Sequence, residues 1–201
     1  MTEFPTMLAL DTALFLAINA GPNPIPYVAL FAIAVTRFAI LLVPFYIVAL
    51  WIRGSRRRRL LAFALILALA IAMTLSFIAG IAVFRPRPFM VDLGHTLVDH
   101  RSNASFPSNH ALVFAVCVIV LALVRRYGMA CLGAVLGALV GWSRIYVGVH
   151  YPSDLLGALI LAIPAALLSL AVTARYGVPI VAAVEHLQHR LQIRLIPFRR
   201  S

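Results

Sequence analysis

The chain has 201 residues, of which 63% are hydrophobic and 11% charged, against roughly half apolar and about a quarter charged in a soluble domain. Lys and Arg number 17 against 6 Asp and Glu, for a net charge of +11, and every basic residue is Arg. This excludes a disordered chain, a disulfide-held secreted scaffold and an ordinary cytosolic enzyme. It also argues against nucleic acid as a partner, because the Arg residues punctuate apolar runs as membrane topology signals do. Leu8 to Asn19 is apolar but short, and the run Gly21-Pro22-Asn23-Pro24-Ile25-Pro26 breaks it, predicting a short interfacial or buried helix. The start lacks the basic, apolar and small-residue pattern of a removable signal peptide. A bilayer core asks for about 20 apolar residues per helix. Five segments answer: Tyr27–Ile52 with Arg37 as its one charge, the uncharged Leu60–Phe84, Pro107–Val124, the Gly-rich Tyr127–Tyr146, and Leu155–Ala174. After Arg175 a basic surface helix is expected, with His186 and His189 solvated. Cys117 and Cys131 lie in apolar stretches and read as small buried hydrophobes. The predicted fold class is all-α. It is a single polytopic membrane helical bundle over 1–201, about five transmembrane helices plus a short N-terminal helix, with a core at about 60–174 and a basic tail at 175–201.

Alternate crossings place Arg53, Arg56 to Arg59, Arg125, Arg126, Arg175, Arg190, Arg194, Arg199 and Arg200 on one side, 12 of the 17. By the positive-inside rule that side is cytoplasmic. Arg37, Arg85, Arg87, Arg101 and Arg144 fall toward the other side; Arg37, part-way down its span, reads as snorkelling.

The remaining polar residues cluster at that second side. Arg85-Pro86-Arg87-Pro88 ends one span, Phe106-Pro107-Ser108-Asn109-His110 opens the next, Ser143-Arg144 ends another, and His150-Tyr151-Pro152-Ser153-Asp154 opens the last. Ionisable groups at such depth are costly unless they pair or work, so they indicate a functional site. Several Arg residues facing one point need an anion between them, and guanidinium forks match phosphate oxygens. Ser108 stands at a helix start, where the N–H groups of Asn109 and His110 favour an anion. His150 and Asp154, four apart, suit an imidazole nucleophile oriented by a carboxylate, with His110 as acid and then base. Asp92, His95, Asp99 and His100 form no tetrahedral ligand spacing and read as a solvated loop that gates or orients the substrate head, and Arg101 as a rim charge. Trp51, Trp142, Tyr146 and Tyr151 suit interfacial belts.

These segments resemble the three-part signature of the phosphatidic acid phosphatase type 2 superfamily of membrane lipid phosphatases. Arg87-Pro88 fits its first part, Pro107-Ser108-Asn109-His110 its second, and Ser143-Arg144 with His150 and Asp154 its third, from about Leu60 to Ala174. The Lys of the family's first part falls at Gly80, with Arg85 the nearest candidate to replace its charge. The resemblance implies that His150 forms a phosphohistidine, Asp154 orients it, and His110 protonates the leaving oxygen and then activates water. Arg87, Arg144, Ser108 and the Asn109 amide hold phosphate oxygens, with Arg85 a candidate to join them in place of the family's Lys. No metal and no cofactor are implied.

The short chain and the Phe-Pro-Ser-Asn-His form are similar to the bacitracin-resistance branch of undecaprenyl diphosphate phosphatases. The implied reaction removes the outer phosphate of that cell-wall lipid carrier, at a site facing away from the cytoplasm of a bacterial inner membrane. A phosphatidylglycerophosphate, phosphatidate or lipid A phosphatase stays open, as do an anion transporter and a catalytically silent lipid-binding protein. The bilayer and a lipid phosphate are the partners implied; the oligomeric state is left open.

Overall fold

A computed structural model describes residues 3–191, so Arg194, Arg199 and Arg200 lie outside the described residues. Among these residues run seven α-helices and no strand: α1 (Glu3–Ile18), α2 (Pro26–Phe38), α3 (Leu42–Ile52), α4 (Arg56–Ala82), α5 (Asn109–Leu123), α6 (Tyr127–Tyr146) and α7 (Pro152–Arg190). A 3-10 turn at Ala39–Leu41 fuses α2 and α3 into one rod. The turn lies just ahead of Pro44, which has no N–H to return to the carbonyl one turn earlier. Four rods are long and apolar enough to cross a bilayer: Pro26–Ile52, Arg56–Ala82, Tyr127–Tyr146 and Pro152–Gln188. The chain is a multi-pass, all-helical membrane protein.

Helices α4, α5, α6 and α7 pack on one another as the central bundle. Their contact surface is built from small residues: Ala62, Ala64, Ala68 and Ala72 of α4 and Ala158, Ala162, Ala165 and Ala166 of α7, closed by Leu112, Val116 and Val120 of α5. Lipid is as apolar as these side chains, so close backbone approach rather than water exclusion holds such helices together. Ser169 Oγ donates across the seam to the Ala64 carbonyl at 2.5 Å. Phe45, Phe77, Ile81, Ile160 and Leu167 point outward, as a lipid-facing belt does.

Two expectations change. The span anticipated at Pro107–Val124 is a helix of 15 residues starting at Asn109, about 22 Å long against a core of about 30 Å. The segment ahead of it, 83–108, is loop apart from a 3-10 turn at Pro88–Val91. The tail is not a separate surface helix: α7 continues unbroken through Arg175, Pro164 and Pro179 to Arg190. Beyond Ala174 it stays on the bundle, with Val181 buried and Glu185 paired to Arg59 at 2.6 Å. His186 is exposed as expected, while the side chain of His189 lies outside the described residues. Cys117 is buried but Cys131 is exposed on α6. Arg37 is exposed.

The short α1 lays Asp11 and Phe15 against the bundle and turns Leu10, Leu14 and Leu16 outward. Asn19 at its end fixes the outer loop: its Nδ2 donates to the His95 carbonyl at 2.8 Å and to the Tyr146 carbonyl at 3.1 Å, and its Oδ1 accepts from His95 N at 2.7 Å. Gly148 completes this junction between α6 and α7. Its φ of +84° suits glycine, and a Cβ there would meet the His95 carbonyl oxygen at 2.2 Å.

Candidate active site

Four chain segments bring the polar clusters together at one end of the bundle. His150 lies in the short turn after α6, and the first turn of α7 carries Asp154, so both ride on one rigid corner. His150 Nδ1 donates to Asp154 Oδ2 at 3.2 Å. The same oxygen accepts from Tyr151 N at 2.9 Å and from the hydroxyl of Ser105. Three donors on one buried oxygen keep that carboxylate aimed. With Nδ1 carrying the proton, His150 Nε2 presents its lone pair to Arg87 Nη1 at 3.1 Å.

Arg87 is buried and held from behind. Its Nη1 donates to the Val149 carbonyl at 2.8 Å, its Nη2 to the Ala104 carbonyl at 3.0 Å and its Nε to Asn103 Oδ1 at 3.0 Å. Burial lowers its pKa to about 10, with Asp154 acting in the other direction; it stays charged at neutral pH. Burial first, then Arg144 and Arg87, carries His150 down to about 3 against the opposing pull of Asp154, so the imidazole is neutral. A buried neutral imidazole within electrostatic reach of two guanidiniums has the chemistry to attack an anion held between them.

Arg144, at the end of α6, donates from Nη2 to His100 Nε2 at 3.0 Å, while its buried Nε has no partner. Ser108 Oγ, also fully buried, likewise has none. Ser108 N is engaged by the Asp154 carbonyl at 3.2 Å, which ties the start of α5 to α7. Asn109 and His110 follow as the first residues of α5, whose opening N–H groups find no acceptor within the helix. Asn109 Oδ1 accepts from Ser76 Oγ at 2.5 Å, fixing α5 to α4. His110 lies within electrostatic reach of Arg144, His100 and Arg87. The guanidinium Nε, the hydroxyl and the helix N-terminus together fit a phosphate, which has more lone pairs than any protein acceptor here offers.

Arg85 sits apart from this pocket, on the outer side of the corner. Its Nη2 donates to Asp11 Oδ2 at 2.6 Å, its Nη1 to Ser153 Oγ at 2.5 Å and to Asp154 Oδ1 at 3.4 Å. Its guanidinium carbon lies 3.7 Å over the Tyr151 ring, so Tyr151 is a stacking partner rather than a belt residue. Ser143 of the third motif serves packing: it donates to the Val140 carbonyl at 2.8 Å and takes a bond from Thr36 Oγ1 of α2 at 2.9 Å.

Sequence reasoning missed Asp11 and Ser105. Asp11 accepts from Ser153 N at 2.9 Å and from Ser153 Oγ at 2.6 Å, capping α7 from another helix. A lone carboxylate in an apolar segment of a chain with only 6 acidic residues was a readable signal. Ser105 carried none. Asp92, His95 and Asp99 are exposed, whereas His100 of the same loop turns inward to Arg144.

Comparison with known proteins agrees with this architecture. Residues 60–177 match the PAP2 superfamily model. YbjG of Escherichia coli (strain K12), whose undecaprenyl-diphosphatase name is itself provisional, is 34% identical over 151 residues, 75% of this chain and 76% of that protein. The undecaprenyl-diphosphatase BcrC of Bacillus subtilis (strain 168) is 35% identical over 131 residues, 64% of this chain and 66% of that one. The crystal structure of Aquifex aeolicus LpxE superposes with a TM-score of 0.66 at 23% identity, over 79% of this chain and 93% of that one. A PAP2 type phosphatidylglycerolphosphate phosphatase from Bacillus subtilis gives 0.64 at 23% identity, over 85% and 87%. At that identity the two structures speak for the fold. With the motifs in order on one end of a helical bundle and more than half its length matched, the chain belongs to the PAP2 superfamily and is a membrane phosphoric ester hydrolase.

Proposed function

We propose that this phosphatase hydrolyses the terminal phosphate of undecaprenyl diphosphate, or a close polyprenyl relative, through a phosphohistidine. The observation that carries it is the pair of contacts on His150: Nδ1 on Asp154 and Nε2 beside Arg87. His150 Nε2 attacks the terminal phosphorus as the bond to the bridging oxygen breaks. His110 protonates that oxygen, releasing the lipid monophosphate. His110 then takes a proton from a water, which attacks the phosphohistidine and frees inorganic phosphate and His150. Arg87, Arg144, Ser108 and the Asn109 amide carry the charge on the non-bridging oxygens. The undecaprenyl-diphosphatase names of YbjG and BcrC support this choice of substrate. The Arg-poor end of the bundle carries the site, so the reaction faces the periplasm or cell exterior of a bacterial inner membrane.

The test is phosphate release in detergent with a chelator present, over a panel of prenyl diphosphate, phosphatidylglycerophosphate, phosphatidate and lipid A. Prenyl diphosphate is expected to turn over fastest. His150→Ala should lose at least about a thousandfold in kcat, as removal of a nucleophile does. Acid-labile phosphate trapped on His150 of the wild-type enzyme by rapid denaturing quench at alkaline pH completes the case. Full activity in His150→Ala, or no trapped phosphate, overturns the mechanism; a faster monoester overturns the substrate.

A further inference from the structure

His100 takes no part in the chemistry above, yet it forms a wall of the same pocket. Its Nδ1–H donates to the Arg101 carbonyl at 3.1 Å, which leaves Nε2 to accept from Arg144 Nη2 at 3.0 Å. Its ring stands edge-on to the His150 ring, centroids 6.4 Å apart, and leans on Phe89 at 6.3 Å. A phosphoryl group on His150 Nε2 therefore has His100 as its neighbour on the loop side. Burial falls away in the same direction. Arg87, Arg144 and Ser108 are closed in, His100 is half-buried, and Arg101 is exposed, its guanidinium in no hydrogen bond or ion pair among the described residues. Charges near His100 come from Arg87, Arg144 and Arg101, with His110 close by on α5. This rim is cationic, and the carboxylate that acts on Arg87 is Asp154, itself held by His150, Tyr151 N and Ser105.

Resting on the diphosphate reading, we propose that His100 and Arg101 form the subsite for the second phosphate, the one attached to the lipid, making His100 a specificity-determining residue. A lipid monoester puts its only phosphorus on His150 and offers the rim an uncharged ester oxygen and alkyl chain. A diphosphate puts a charged phosphate there. In the empty site, burial and the three Arg residues hold the His100 pKa below its ordinary value, so the ring is neutral and rests on Arg144. The incoming charge of a diphosphate reverses that field. His100 takes a proton from solvent at the mouth and donates it in a charge-assisted bond to the second phosphate, while Arg144 Nη2 is released to the first.

The experiment compares kcat/KM for a short prenyl diphosphate and the prenyl monophosphate of the same chain, in wild type, His100→Ala, His100→Gln and Arg101→Ala. The wild-type comparison alone judges the diphosphate reading. For the subsite, the diphosphate-to-monophosphate ratio should fall about tenfold in His100→Ala, the size of one charge-assisted hydrogen bond. The loss should appear mainly in KM. His100→Gln, which bonds but cannot charge, should recover part of the ratio and flatten the rise of diphosphate KM with pH. A ratio that changes by less than about threefold, a loss equal on both substrates, overturns the proposal. Should His100→Ala not fold, Arg101→Ala decides on the same ratio.

Discussion

Asp11 binds Arg85, Ser153 Oγ and Ser153 N together, and the same Arg85 reaches Asp154 Oδ1. The carboxylate thus neutralises a half-buried guanidinium and caps the helix on which Asp154 rides. Removing it leaves Arg85 with only the longer 3.4 Å ion pair to Asp154 and the first turn of α7 uncapped. Asp11→Ala is expected to destabilise the protein by about 2 kcal/mol or more, read as a lower thermal midpoint in detergent, and to reduce kcat more than it raises KM. An unchanged midpoint would remove Asp11 from this account. The motif residues His110, His150, Asp154, Arg87, Arg144 and Ser108 were legible in sequence because each is an expensive group in an apolar chain. Ser105 and Asn103 were not, since a Ser or Asn in a polar loop is ordinary until a carboxylate or guanidinium is seen against it. Arg85 was legible as a charge near the site, but its direction, toward Asp11, depends on a helix 74 positions away.

The decisive contact between elements is that of α7 with the start of α5. Gly157 gives the Phe106 ring its place: a Cβ there would meet Phe106 Cε2 at 2.0 Å and Cζ at 2.4 Å. Phe106 leads directly into Pro107 and Ser108, so any shift of its ring moves the phosphate donors that open α5. Gly157→Ala should therefore cost about a hundredfold in kcat/KM, the usual consequence of misplacing reacting groups by about an ångström. The helical content should be unchanged by circular dichroism. Wild-type activity would show that Phe106 relocates freely. The helices themselves were readable from apolar run lengths, including the weak short α1. One boundary was not. The end of α7 was hidden because Pro179 and Arg175 look like stop signals, and only Glu185 meeting Arg59 shows why the helix continues. The start of α5 was legible, since Ser108 after Pro107 is its N-cap and Asn109 its first residue.

For the molecule as a whole, the burial of His150 makes stability depend on pH. The ordinary His pKa is 6.5, and in the fold that of His150 is lowered to about 3. Between those values the unfolded chain binds the proton and the folded one does not. This contribution is complete above about 6.5 and is lost as pH falls toward about 3. The thermal midpoint of phosphate-free wild type should drop more steeply across that window than that of His150→Asn, and added phosphate should raise the wild-type midpoint throughout. Equal slopes would mean that His150 is solvated.

The sequence by itself determined that the chain lives in lipid, that it is all-helical, which end of the bundle is basic, and which motifs sit at the other. All of these follow from local quantities: apolar run length, charge placement and residue spacing. Only the tertiary structure decided that His100 turns to Arg144 while Asp99 and Arg101 face solvent, that Arg85 belongs to Asp11, and that α7 runs on until Glu185 meets Arg59. Those facts depend on which distant groups come within bonding distance once helices pack, and a hydrogen bond acts over about 3 Å in space, whatever the separation along the chain.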